Sequence, residues 1–195
     1  MIMWTLRFVA MFVLLTVGSG DPIYKGPTRL GGFDVVRPVP IRTLVRQLGE
    51  PTSHKSPLCY RYDATSYLRA SAIHEQPESA GEILISSVPT CPPNVLAKTR
   101  NDFRSWKTAE GIGLGASKED VLSRYGAPTS LKKPDHELNL RFFSEYASKM
   151  AHTSAIAQEV LLYNGVLKGL PNSWTSARFG IQGDRVIWIM LTIDD

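Results

Sequence analysis

This chain has little that invites chemistry. It holds two cysteines and four histidines, with no C-x-x-C pair and no H-E-x-x-H. His54, His74, His136 and His152 stand far apart, so neither residue type shows metal-ligand spacing. The glycine-rich stretch GIGLG, at Gly111 to Gly115, lacks the G-x-G-x-x-G spacing of a dinucleotide fingerprint. It also lacks the Gly-Lys-Ser/Thr end of a phosphate loop, and so reads as a turn into a helix. A concentrated basic stripe is missing too. The net charge is +4, and the densest cationic group is Lys98, Arg100, Arg104 and Lys107. A charge this dispersed suits solubility and weak attraction to anionic surfaces, and it excludes the usual footprint of nucleic-acid binding. Low-complexity tracts are absent, so the chain reads as globular. No cofactor and no metal are expected.

An apolar run long enough to span a bilayer, about 20 residues, is also lacking. The longest stretch is Phe8 to Val17, preceded by Arg7 and followed by Gly18-Ser19-Gly20. That arrangement predicts a signal peptide over residues 1–20, with an uncleaved anchor as the alternative. Cleavage would leave Asp21 first, and no cysteine stands near it to carry a lipid. The mature protein is therefore expected to be exported, periplasmic or extracellular, with no stable membrane insertion after signal removal. An even cysteine count in an oxidising compartment predicts a Cys59–Cys91 disulfide, against the alternatives of a thiol nucleophile or a metal ligand.

What the chain does have is a repeated loop. GEPTSHKSP at Gly49 to Pro57 returns as GAPTSLKKP at Gly126 to Pro134. Each follows a short amphipathic stretch. In IRTLVRQLGEP, Pro40 precedes an apolar face of Ile41, Leu44, Val45 and Leu48, and Gly49 and Pro51 end the helix. In ASKEDVLSRYGAP, Ser117 and Asp120 form a capping box, Val121, Leu122 and Tyr125 supply the apolar face, and Gly126 and Pro128 stop it. Helices this short must dock to persist.

Alternating strands follow. Leu58, Tyr60 and Tyr62 in LCYRYD align with Leu138, Leu140 and Phe142 in LNLRFF, and Arg61 aligns with Arg141. Further strands are predicted near Leu68 to Glu75 and Glu82 to Val88. Gly183-Asp184 marks a hairpin between two apolar runs. Residues 144–173 are ambiguous, although EVLLYNGV looks like a strand. The predicted fold is α+β, with two tandem modules, each a short helix or helix pair packed on an antiparallel β-sheet. The first module covers 21–91, a linker 92–105, and the second 106–195.

The segment WKTAEGIGLGASKEDVLSRYGAPT resembles the opening of β-lactamase-inhibitor-protein-like modules, and is similar to the SmpA/OmlA outer-membrane assembly module. The matching residues are Gly111, Ile112, Leu114, Gly115, Ser117, Val121, Gly126 and Pro128. The first copy keeps the helix and Gly49-x-Pro51, but has Asp34-Val35-Val36-Arg37 where the glycine turn would fall. The resemblance implies a non-enzymatic protein that binds another protein, as an inhibitor or an adaptor.

Strand alternation places Arg61, Arg141 and Phe143 on the sheet face away from the helices, with Arg178 opposite Ala177, Phe179 and Ile181. In the last strand it groups Val186, Trp188 and Met190 against Ile187, Ile189 and Leu191. A face mixing arginine and aromatics suits a protein-binding hot spot, so Arg61, Arg141, Phe143, Arg178 and Trp188 are the expected partner contacts. The alternatives are a component of envelope or outer-membrane assembly, and a small secreted hydrolase with a site built from remote residues.

Overall fold

The structure, a computed structural model, describes residues 22–34, 36–73, 76–132, 157–168 and 170–194. Two α-helices of about two turns each are present among the described residues. Helix α1 is Ile41–Leu48 and α2 is Lys118–Tyr125. Pro40 precedes α1 without a side-chain cap, whereas Ser117 and Asp120 form the reciprocal capping box at α2. Both helices end alike. Gly49 (φ 97°) and Gly126 (φ 75°) turn left-handed, and each donates its N–H to the carbonyl four residues back, at 2.8 Å. Glycine suits this conformation because it has no Cβ to clash.

The strands are β1 Arg29–Leu30, β2 Phe33–Asp34, β3 Val39–Pro40, β4 Leu58–Asp63, β5 Ser66–Ala72 and β6 Ser79–Ser86. They continue with β7 Ala97–Lys98, β8 Ser130–Lys132, β9 Glu159–Leu167, β10 Leu170–Gln182 and β11 Arg185–Asp194. Among the described residues nine strands form one sheet, ordered β7-β4-β5-β6-β11-β10-β9-β8, with β3 added on β6. Two antiparallel meanders, β4-β5-β6 and β9-β10-β11, thus meet through their last strands, where Ile83 pairs with Leu191 and Ile85 with Ile189. The predicted α+β class holds, with the sheet as its dominant element.

Both helices cover one face of this sheet. Leu44 and Leu48 of α1, and Val121 and Tyr125 of α2, enter one core with Tyr60, Leu68, Ile83, Ile85, Ala177, Phe179, Ile189 and Leu191. The short helices are stable because this burial compensates for their weak nucleation. A polar pin fixes each helix end as well. The Tyr60 hydroxyl donates to the Gly49 carbonyl at 3.0 Å, and the Tyr163 hydroxyl donates to the Gly126 carbonyl at 3.0 Å. Tyr163 packs edge-on to both Tyr125 and Phe179. The functional counterpart of Tyr60 is therefore in β9. The counterpart expected from the loop repeat, LNLRFF, lies outside the described residues, as do Arg141 and Phe143.

The predicted hairpin at Gly183-Asp184 is present, with positive φ at both residues (52° and 65°) joining β10 to β11. One register expectation is corrected there. The ladder skips a residue, so Ile181 pairs with Val186 but Gly180 with Trp188. The extra residue, Ile187, reverses the alternation at that point. Val186 consequently joins Ile189 and Leu191 in the main core, while Trp188 and Met190 face the other way.

Cys59 and Cys91 form a disulfide with Cα atoms 6.3 Å apart. The stretch read as a linker carries β7, which pairs parallel with β4, and a turn that buries Phe103 completely. No helix among the described residues is long and apolar enough to cross a membrane.

Candidate functional site: the β4–β7 edge

On the sheet face away from the helices, cross-strand neighbours run in rows. One row is Arg61, Tyr67, Ser86, Trp188, Gly180 and Val160. Its middle is closed. Trp188 is 3% exposed and clusters with Leu84, Ala157, Val160 and Met190, each equally hidden. A Cβ on Gly180 would lie 2.0 Å from the Trp188 ring, so the indole occupies the space above that glycine. Trp188 is thus a packing residue in this structure and does not present its ring to a partner.

Arg178, half-buried in β10, stands opposite Met190 and Leu162. Arg61 is exposed in β4. Four strand spacings separate the two, about 19 Å, so they are not brought together.

Arg61 has other company. The parallel pairing of β4 with β7 sets Lys98 directly beside it, and both side chains are exposed. Next along β4 the register slips between Arg61 and Asp63, which leaves Tyr62 38% exposed where alternation placed it over the core. The Arg104 guanidinium lies 5.7 Å from the centre of the Tyr62 ring. It is held by Asp102 at 2.8 Å, Asp63 at 2.9 Å and the Thr65 hydroxyl at 3.1 Å.

The acids are fixed in their turn. Asp102 accepts from the Ser66 hydroxyl and from the Arg104 amide, both at 3.0 Å, and Asp63 accepts from the Thr65 amide at 2.7 Å. Hydrogen bonds from Arg104 hold the Asp102 carboxyl down at about 2, well below the ordinary carboxylate range. The edge therefore exposes Arg61, Lys98 and Arg100 on β4 and just past β7, while Arg104 lies against the Tyr62 ring and is held by two carboxylates. Sequence reasoning noticed Arg61 and the basic cluster separately. It missed Tyr62 as a surface residue, because a register slip leaves no mark on an alternating stretch.

Other concave regions offer less. An open groove of about 950 Å³ runs along α1, floored by Ile41, Val45 and Pro77 and rimmed by Arg42, Arg46 and Glu78. His54 lies at its end, 3.7 Å from Glu50, with both side chains about three-quarters exposed. A smaller cavity of about 370 Å³ adjoins the disulfide, between Lys55, Arg69 and Thr90. Among the described residues no three His, Cys, Asp or Glu side chains gather to hold a metal ion. Tyr125 donates to Glu110 at 2.6 Å and lies 2.7 Å from Thr108. Burial, followed by the Glu110 contact, pushes this phenol up, and its stacking on Phe179 locks α2 to the sheet.

A scan against protein-family models, a search of curated proteins and a search of solved structures each return no match to this chain.

Proposed function

We propose that the chain is an exported, non-enzymatic binding protein made of two tandem helix-and-meander modules, and that it captures an acidic protein partner at the β4–β7 edge. The observation that carries the docking reading is the adjacency of exposed Arg61 and Lys98 beside Tyr62, whose ring Arg104 braces. Arginine and tyrosine dominate binding hot spots, and a preorganised platform loses little side-chain entropy on docking. The disulfide supports export, since such bonds persist in oxidising compartments.

The module reading rests on the matched pins. Gly49 and Gly126, 77 residues apart, each receive a tyrosine hydroxyl from the first strand of a meander, and the meanders run outward in mirrored order from the β6–β11 seam. The two tyrosines are 103 residues apart. The second unit thus carries 26 additional residues between its loop and its strand.

The test is capture from the exported fraction of the source cells, comparing wild type with Arg61→Glu/Lys98→Glu. Reversing exposed charges should leave melting unchanged within about 0.5 kcal/mol. A protein retained by wild type, weakened by added salt and lost by the variant supports the reading. Equal retention by both, or no salt-sensitive ligand at all, refutes it. Retention of a whole membrane complex through the same edge would assign the module to envelope assembly.

A further inference from the structure

At the opposite side of the sheet, Pro22 to Tyr24 lies along β9 in a fixed seat. The Tyr24 amide donates to the Val166 carbonyl at 3.0 Å, and the Val166 amide donates to the Pro22 carbonyl at 2.9 Å. Gly165 permits this approach, because a Cβ there would stand 2.3 Å from the Pro22 carbonyl oxygen. Tyr24 anchors the segment from the other side, being 8% exposed with its hydroxyl donating to the Pro27 carbonyl at 2.8 Å. Between these fixed neighbours Ile23 is held outward, 64% exposed. It pairs with Val166, which pairs in turn with Trp174, itself 38% exposed. Lys25 and Lys168, both exposed, stand two residues on from Ile23 and Val166.

We propose that this Ile23–Val166–Trp174 row is a bilayer-docking patch that rests on anionic headgroups. The inference goes beyond the protein-docking reading and uses none of its residues. Two observations select a lipid surface as the occupant. The row combines an exposed aliphatic side chain and an indole with nearby lysines, the composition favoured at membrane–water interfaces. Its rigid bracket sets Ile23, Val166 and Trp174 in one cross-strand row, so the exposed apolar surface is contiguous and not scattered. Five strand spacings, about 24 Å, separate β9 from β4, so the row and the Arg61–Lys98 edge lie at opposite edges of the sheet and share no residue.

The test uses the exported chain with vesicles of about three parts phosphatidylcholine to one part phosphatidylglycerol, carrying a nitroxide quencher at headgroup depth. Comparing wild type with Trp174→Phe isolates Trp174 from Trp106 and Trp188. The quenched component should be present in wild type and absent from Trp174→Phe. Ile23→Ser, with unchanged melting, should weaken it, and Lys25→Ala and Lys168→Ala should each lower vesicle partitioning about fivefold. Quenching that is equal in wild type and Trp174→Phe, or absent from both, overturns the patch. Neither outcome bears on partner capture by Arg61 and Lys98.

Discussion

Replacing Tyr60 and Tyr163 by phenylalanine removes two hydroxyls and nothing else. Each donates at 3.0 Å to the carbonyl of the glycine that ends a helix. The ring stays in the core, so the loss is one part-buried hydrogen bond, about 1 kcal/mol net. The sites lie five strand spacings apart, about 24 Å, so their effects should add to about 2 kcal/mol in the double variant. For a chain of this size each single change should lower the melting temperature by about 2–4 °C. Urea denaturation of both singles and the double gives the three values directly.

An alkaline arm sharpens the test. Burial raises both phenols from 10.0 to about 12, with Glu50 adding to the effect on Tyr60. Between those values the folded state binds more protons than the unfolded one, so stability is full below pH 10.0 and falls as pH rises toward about 12. The double phenylalanine variant should lose less over that window. A large cost at one tyrosine with none at the other, or a slope unchanged by the double substitution, would refute the equivalence of the two pins.

Reducing the Cys59–Cys91 bond, which spans 32 residues, should cost about 3–4 kcal/mol by chain entropy, read as a lowered denaturation midpoint. Ser117→Ala removes the cap that accepts from the Asp120 amide at 3.0 Å, and should cost about 1 kcal/mol in the same assay. Trp188→Ala should cost about 3–5 kcal/mol, as expected of a packed indole, whereas Arg61→Ala should stay within about 0.5 kcal/mol. The reverse ranking in thermal melting would put Trp188 on the surface.

The features legible in the sequence were the local ones. Ser117 and Asp120 announce a capping box, Gly49 and Gly126 announce helix ends, and Gly183-Asp184 announces a hairpin, because each depends on residues within one turn of chain. The Ala177, Phe179 and Ile181 face was legible by the same logic of period two. What failed was long-range or irregular. Nothing in LCYRYD signals the parallel pairing with Ala97–Lys98 that brings Lys98 beside Arg61. Nothing in RVIWIML signals that Ile187 bulges and sends Val186 to the face opposite Trp188. Nor does the repeated loop signal that the hydroxyl reaching Gly126 comes from Tyr163; LNLRFF, the strand it pointed to, lies outside the described residues.

The most direct test of partner docking is hydrogen exchange on the complex with the captured protein. Protection should concentrate on the amides of Arg61 to Asp63 and Lys98 to Arg100, leaving the exchange of the α1 groove unaltered. New protection along Arg42 and Arg46 instead, with that edge unchanged, would contradict the proposed docking site.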